Sequence, residues 1–463
     1  MNASFLLIST LFLVPILGAS ARAARLPQAV TPRPDVDLTA MFQHGAGQEG
    51  RVMDMAYTSN GYLVVAYSEH APGQASDRLV VAHRTPQGAW ELLSNQRYGL
   101  GHILELKLAV PERGDGRDPK KDRVYIAVHV ASDVGLGQRP GGDPAELEAI
   151  GLVSGPWLTP WNGVGRASFA LVNGEQVPPR WRETWTPGIA CVPVGSTAQG
   201  NYAIELAYAH PIGESGSGMG IYRTWSSDFG RSLEDPLQLA GPEPDFPCRP
   251  ELCGDEYRSP SLTADWRRSR IVVAMEDRSA DVVHVAGAWP GQPLIELLHS
   301  TEGLSPSGTQ VVDRTPVIVS SEGDLVMTHL TLVPGATLPF AAIQLLSGNP
   351  ITGDLQPMRQ IHSRAATACD VDLKGEHVFL TARVYEDDQW PQQAFLRAWD
   401  LPLNDATAFP LTVLPADRIN ECVHPRIAAR HAGEPWASVG YGQRDWLGPG
   451  TQTPAAGHVM INE

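Results

Sequence analysis

Between Arg223 and Pro236 the chain reads RTWSSDFGRSLEDP, with Ser226, Asp228, Gly230 and Ser232 at alternate positions. That spacing suits a tight turn, because an Asp carboxylate can accept backbone N–H bonds and Gly tolerates a positive φ. Two further motifs, RSP at 258–260 and RTP at 314–316, place Arg258 and Arg314 where a strand is expected to begin. A guanidinium there can hold a carboxylate through two parallel bonds. It can equally pair with a neighbouring acid such as Asp255, Glu256 or Asp313. Arg426 in VHPRI is a third residue of the same kind. Acid–base chemistry on a sugar requires two carboxylates facing each other, roughly 5–10 Å apart. Asp54, Asp370 and Asp372 stand on segments that could face one another, although 51 acidic residues make some such choice inevitable.

Other chemistries have less support. His129, His284, His329 and His424 read as packed or edge residues. No HExxH, no paired His at ligand spacing and no Cys/His cluster is present, so no metal is expected. EDD at 386–388 and DGRD at 115–118 read as solvated turns rather than calcium loops. SGSGMG at 215–220 reads as a hairpin connection, and with no G-x-S-x-G, P-loop or dinucleotide fingerprint no cofactor is expected. Cys248 and Cys253 flank four residues, which suits a loop-closing disulfide, and Cys369 and Cys422 occupy similar places at the starts of two successive strands. Those two predict a second bridge, which leaves Cys191 as the odd, buried thiol.

The elements that must position these residues repeat. One pattern recurs in VMDMAYTSNGYLVVAYSE (52–69), CVPVGSTAQGNYAIELAYAH (191–210), SPSLTADWRRSRIVVAMED (259–277) and CDVDLKGEHVFLTARVYED (369–387). It returns from 103, 315 and 424, usually followed by a third strand such as RLVVAHR or GIYRTW. Apolar runs of this length separated by Gly, Pro and Asp turns indicate antiparallel strands. Repeated in fours every ~50 residues they predict an all-β propeller, whose blades cover one another's apolar faces. Seven starts favour seven blades, with six as the alternative. Helical periodicity is confined to PAELEAIG at 144–151, within a predicted insertion near 134–187; a second insertion is predicted near 241–257. Trp157, Trp161, Trp181 and Trp185 in the first insertion are expected to pack onto blade edges, or else to build a binding rim.

Residues 5–18 are apolar and uncharged, too short to span a bilayer, and Ala21-Arg22-Ala23 follows as a cleavage site. This predicts a signal peptide over 1–23, a single propeller domain over 24–463, and a secreted or periplasmic protein. Cleavage leaves 34 basic against 51 acidic side chains, a net charge near −17. Such an excess of negative charge disfavours nucleic acid and anionic membrane surfaces as partners. No later apolar run predicts a membrane span.

The turn at 226–232 resembles the Asp-box (BNR repeat) of the sialidase superfamily of propellers, S/T-x-D-x-G-x-T/S-W, with Leu233 in place of the usual aromatic residue. In that superfamily the box is a structural brace away from the ligand pocket. The resemblance implies axial arginines that clamp a substrate carboxylate, for which Arg258, Arg314 and Arg426 are the candidates, although the family's R-I-P is absent from the first unit. It also implies a Tyr nucleophile with a Glu partner, and an Asp acid/base. Tyr441, Glu205, Asp54 and Asp370 are the residues available for those roles. Two classes of function follow. One is a secreted binding or scaffold protein holding a glycan, peptide or small acid at the axial mouth; the other is a glycoside hydrolase with exo-sialidase-like chemistry.

Overall fold

LVVAYS at 63–68 and RIVVAM at 270–275 carry apolar residues at consecutive positions, which requires cover on both strand faces. The fold provides it: every residue of Arg270–Asp277 is buried, as are all but the last of Leu63–His70. The computed structural model of the chain describes residues 35–42, 48–97, 101–111, 122–132, 147–161, 168–176, 187–194, 201–212, 218–242 and 252–265. It further describes 269–290, 296–301, 316–321, 324–332, 341–349, 354–385, 394–402, 409–414, 420–430, 436–445 and 458–462. The expected signal peptide lies outside these residues, and within them no helix is long and apolar enough to cross a membrane.

The fold is an all-β propeller of four-stranded antiparallel units. The first sheet runs from Glu49–Tyr57 to Trp90–Gln96, the second from His102–Ala109 to Ser168–Gln176, and the third from Gly188–Pro193 to Leu237–Ala240. The fourth runs from Tyr257–Asp265 to Glu296–Ser300. In each, strands follow chain order, as in a meander. Among the described residues the sheets number six, the alternative expectation, because the fifth and sixth sequence units are joined in one seven-stranded sheet. Its long strand Asp354–Lys374 pairs along residues 354–361 with Ala341–Asn349 and along residues 366–374 with His377–Tyr385. The last sheet combines Asn420–Ala429, Ala437–Asp445 and His458–Asn462 with Val36–Asp37 from the other end of the chain. Residues 36 and 37 therefore complete the final unit, held by Val36 opposite Ile461 and Asp37 opposite Met460.

The predicted insertion at 134–187 contains the third and fourth strands of the second sheet, Leu147–Pro156 and Ser168–Gln176. The described part of PAELEAIG, residues 147–151, is strand rather than helix, because it pairs with the buried strand Arg123–Ser132. Trp157 and Trp161 are buried against that sheet, where Trp161 donates its indole N–H to the Pro156 carbonyl (2.8 Å). Trp181 and Trp185 lie outside the described residues.

The first strand of each unit is an edge, so its outward backbone groups need partners. Side chains of the neighbouring first strand supply several. Asp54 accepts from Leu108 N (2.7 Å), Ser261 from Ile318 N (3.1 Å), Asp370 from Ile427 N (2.9 Å) and Asp372 from Ala429 N (2.7 Å). The stitches join successive first strands around an axial channel.

Candidate functional site

Register breaks recur near the starts of the first strands, between Gly50 and Met53, Ile103 and Glu105, Arg258 and Ser261, Ala366 and Ala368, and Val423 and Arg426. A bulge re-aims the side chains that follow it. In two of them the residue before a proline takes a left-handed backbone, Ser259 (φ 49°) and His424 (φ 51°). Superposing Ser259-Pro260 on His424-Pro425 sets Arg258 level with Val423, and Arg426 level with Ser261. Arg258 thus precedes its bend, and Arg426 follows its own.

Below the bends lies a cavity of about 180 Å³, walled by first strands of successive units. Asp54, Lys107 and Asp370 reach it, with Ile189, Leu262 and Val319 among its apolar walls. Asp372 lines both this cavity and an adjoining one of similar size that includes Cys191. Arg426 Nε lies 3.2 Å from Asp54 Oδ1, so both Asp54 oxygens have partners. One oxygen of Asp370 is taken by Ile427 N; the other makes no hydrogen bond among the described residues.

Burial pushes the Asp370 carboxyl up to about 6, with Asp54 adding to the effect and Arg426, Lys107 and the Ile427 N–H opposing it. Asp372 is likewise raised to about 6 by burial, reinforced by Asp54 and opposed by the N–H groups of Ala429 and Leu373. Burial works to lower the Arg426 guanidinium, yet Asp54, Asp370 and Glu105 outweigh it and raise it. The arrangement pairs a carboxylate held by a cation with a second carboxyl that takes up a proton near pH 6, the unequal environment from which acid and base roles arise.

Of the sequence candidates, Asp54, Asp370 and Arg426 come together here. The other described candidates go elsewhere. Arg258 is committed to Glu256, and Arg314 lies outside the described residues. Glu205 is sealed inside the third sheet, where Arg223 donates from Nε (2.8 Å) and Nη2 (3.0 Å). Tyr441 is fully buried and donates its hydroxyl to Asp35 (2.7 Å), tying the start of the described chain to the last sheet. Cys369 is a free, buried thiol near Thr328 Oγ1 (3.7 Å), which corrects the expected bridge to Cys422. Its side chain belongs to the apolar core of the seven-stranded sheet. Burial there pushes the thiol up to about 12. Cys191 is free and buried, as expected. Cys248 and the Cys422 side chain lie outside the described residues.

The turn between Gly218–Ser226 and Leu237–Ala240 is a brace. Asp228 Oδ1 accepts from Ser226 Oγ (2.8 Å), Arg231 N (3.0 Å) and Ser232 N (2.9 Å), while Oδ2 accepts from Ser232 Oγ (2.7 Å). Burial works to raise the Asp228 carboxyl, but the donors from Ser232, Ser226 and Arg231 outweigh it and lower it. Gly230 (φ 78°) packs against Leu152 and Tyr125 of the second sheet, leaving no room for a Cβ without adjustment.

Sequence reasoning missed Lys107 and Glu105. Their signal is ILELKLAV, two charges at alternate positions of an otherwise apolar first strand, which sets both on one face.

No known family model matches this chain, and neither does any curated protein. Solved structures similar to it include a protein of unknown function from Dyadobacter fermentans, 13% identical with a TM-score of 0.45, covering 95% of this chain and 100% of that one. An α-L-arabinofuranosidase from Fusarium graminearum is 9% identical with a TM-score of 0.45, covering 93% of this chain and 97% of that one. A Trypanosoma rangeli sialidase mutant with trans-sialidase activity is 12% identical with a TM-score of 0.40; the match covers 73% of this chain and 52% of that protein. At these values the similarities carry nothing about the chemistry of the site, which is read from its own residues.

Proposed function

We propose that the protein is an exported, sialidase-like propeller that binds a glycan at the axial channel, with Asp370 as the central contact. The observation that carries this reading is Asp370 lining the cavity beside Asp54 and Lys107, with one oxygen that makes no hydrogen bond among the described residues. Carboxylate and ammonium groups against apolar walls suit sugar hydroxyls and C–H faces. The small-acid variant is weaker, because Arg426 is engaged by Asp54 and Arg258 by Glu256. The turn at 226–232 serves as the Asp-box of this architecture, and residues 1–23 as its export signal. Cys248 and Cys253 close the loop before Tyr257–Asp265.

The test is calorimetry of the mature protein against neutral and sialylated oligosaccharides. Saturable binding is expected, weakened at least ten-fold in Asp370→Ala. Equal affinity in wild type and variant would sink the assignment.

A second reading, glycoside hydrolysis, is favoured by one feature: Asp54, paired with Arg426, shares the cavity with Asp370 and Asp372, whose carboxyls burial raises. It requires turnover of a fluorogenic glycoside whose pH profile loses its ionisation near 6 in Asp370→Asn. A flat profile in the wild type removes it.

A further inference from the structure

A different cluster lies where the first and second sheets meet. His70 ends Leu63–His70, Asp77 precedes Arg78–Arg84 of the same hairpin, and His102 opens the first strand of the second sheet. The Asp77 side chain is completely buried, and its Oδ2 is fixed by Ile103 N (2.8 Å). Asp77 N donates to Gly101 O (2.9 Å), so the carboxylate and the His102 backbone are locked together. The remaining oxygen, Oδ1, receives two imidazoles at once: His70 Nδ1 at 2.8 Å and His102 Nδ1 at 3.1 Å. The ring centroids are 5.2 Å apart, and the three donor atoms lie within 4.8 Å of one another.

We propose that His70, Asp77 and His102 bind a divalent transition-metal ion of the Zn²⁺ class. Two imidazoles and one carboxylate are borderline donors that suit Zn²⁺, Co²⁺ or Cu²⁺, whereas Ca²⁺ and Mg²⁺ demand more oxygens. Ligand bonds of about 2.0–2.2 Å place donor atoms roughly 3.3–3.5 Å apart around a tetrahedral ion. The present separations are those of hydrogen bonds, so the ion enters by displacing the two shared protons and spreading the ligands by about half an ångström. Each imidazole then carries its proton on Nε2 and offers Nδ1 as the ligand. His70 and His102 keep 16% and 17% of their side-chain surface accessible, which gives the ion a route in and leaves its fourth position to water. Asp77 is held beforehand by Ile103 N, as the partner hydrogen bond of a metal-ligating carboxylate should be. The site is separate from the axial carboxylates, and sequence inspection cannot find it because the two histidines lie on different sheets.

Equilibrium dialysis of Co²⁺ against the mature chain, followed by visible absorption, tests the proposal. One equivalent per chain is expected, with d–d absorption of tetrahedral intensity that Zn²⁺ abolishes. His70→Gln and His102→Gln, which retain an amide able to bond Asp77 and so preserve the fold, should each weaken Co²⁺ binding at least ten-fold. No saturable binding by the wild type, or undiminished binding by both variants, overturns the assignment.

Discussion

Two arginine–carboxylate pairs divide this molecule into sealed and open chemistry. In the third sheet, Arg223 and Glu205 are both wholly inaccessible. Arg223 also donates to the Trp289 carbonyl (3.1 Å) and stacks its guanidinium 5.4 Å from the Trp225 ring centroid. At the channel, Arg426 and Asp54 keep 14% and 12% of their side-chain surface and meet at 3.2 Å between Nε and Oδ1. The first pair closes on itself and can only brace strands. The second stands beside Asp370, which lines a cavity and has an oxygen without a hydrogen bond among the described residues, and so retains capacity for a ligand. Burial alone does not mark a functional residue; an uncommitted polar atom on an open surface does.

The largest break in that comparison comes from Glu205→Ala. It strands a buried guanidinium, and about 3–5 kcal/mol of stability should be lost in urea unfolding. A loss below about 1 kcal/mol would mean that water reaches Arg223 and the sealed class is empty.

Asp370→Asn should act in the opposite direction. The folded carboxyl is raised from 3.8 to about 6, so between those values the native state binds more protons than the unfolded chain. Its contribution to stability is therefore full below 3.8 and lost as pH rises through about 6. The amide still accepts from Ile427 N but escapes the cost of a buried charge. Stability at pH 7 should rise by about 1–2 kcal/mol, a shift of this size discounted for water in the channel, with no gain at pH 4. Paired melts of both proteins at the two pH values measure this, and a gain independent of pH contradicts it.

Asp228→Ala removes four bonds from a partly exposed turn and should cost about 1–2 kcal/mol without altering ligand binding. Altered binding would place the turn in the functional region rather than the brace. The smallest effect concerns the thiols: Cys191 and Cys369 should resist a thiol reagent in the native protein and both react on unfolding. Rapid labelling of Cys191 in the native state would show that the adjoining cavity, which Cys191 lines, opens to solvent.

Much of the fold was legible because it is local. Antiparallel neighbours lie a turn apart, so LVVAYS and RIVVAM declare their strands without knowledge of the rest. The turn at Asp228 was legible for the same reason, since all its bonds fall within residues 226–232. The third and fourth strands of the second sheet were hidden by the long segments around them, and only pairing with Arg123–Ser132 identifies them. The candidate site was legible only as a set of acids. Nothing local tells Asp370 from Glu205, as each sits on an apolar strand, and the partner that separates them comes from packing.

The residues alone determined an all-β chain of repeated strand pairs, a braced turn and a strongly acidic surface, because periodicity, turn chemistry and charge are properties of short segments. Tertiary structure decided the rest: that two units share the strand Asp354–Lys374, that Val36–Asp37 completes the last sheet, and that Asp54 meets Arg426. Closing the channel joins residues hundreds of positions apart, and carboxylates acquire their partners and their proton affinity only when the first strands come side by side.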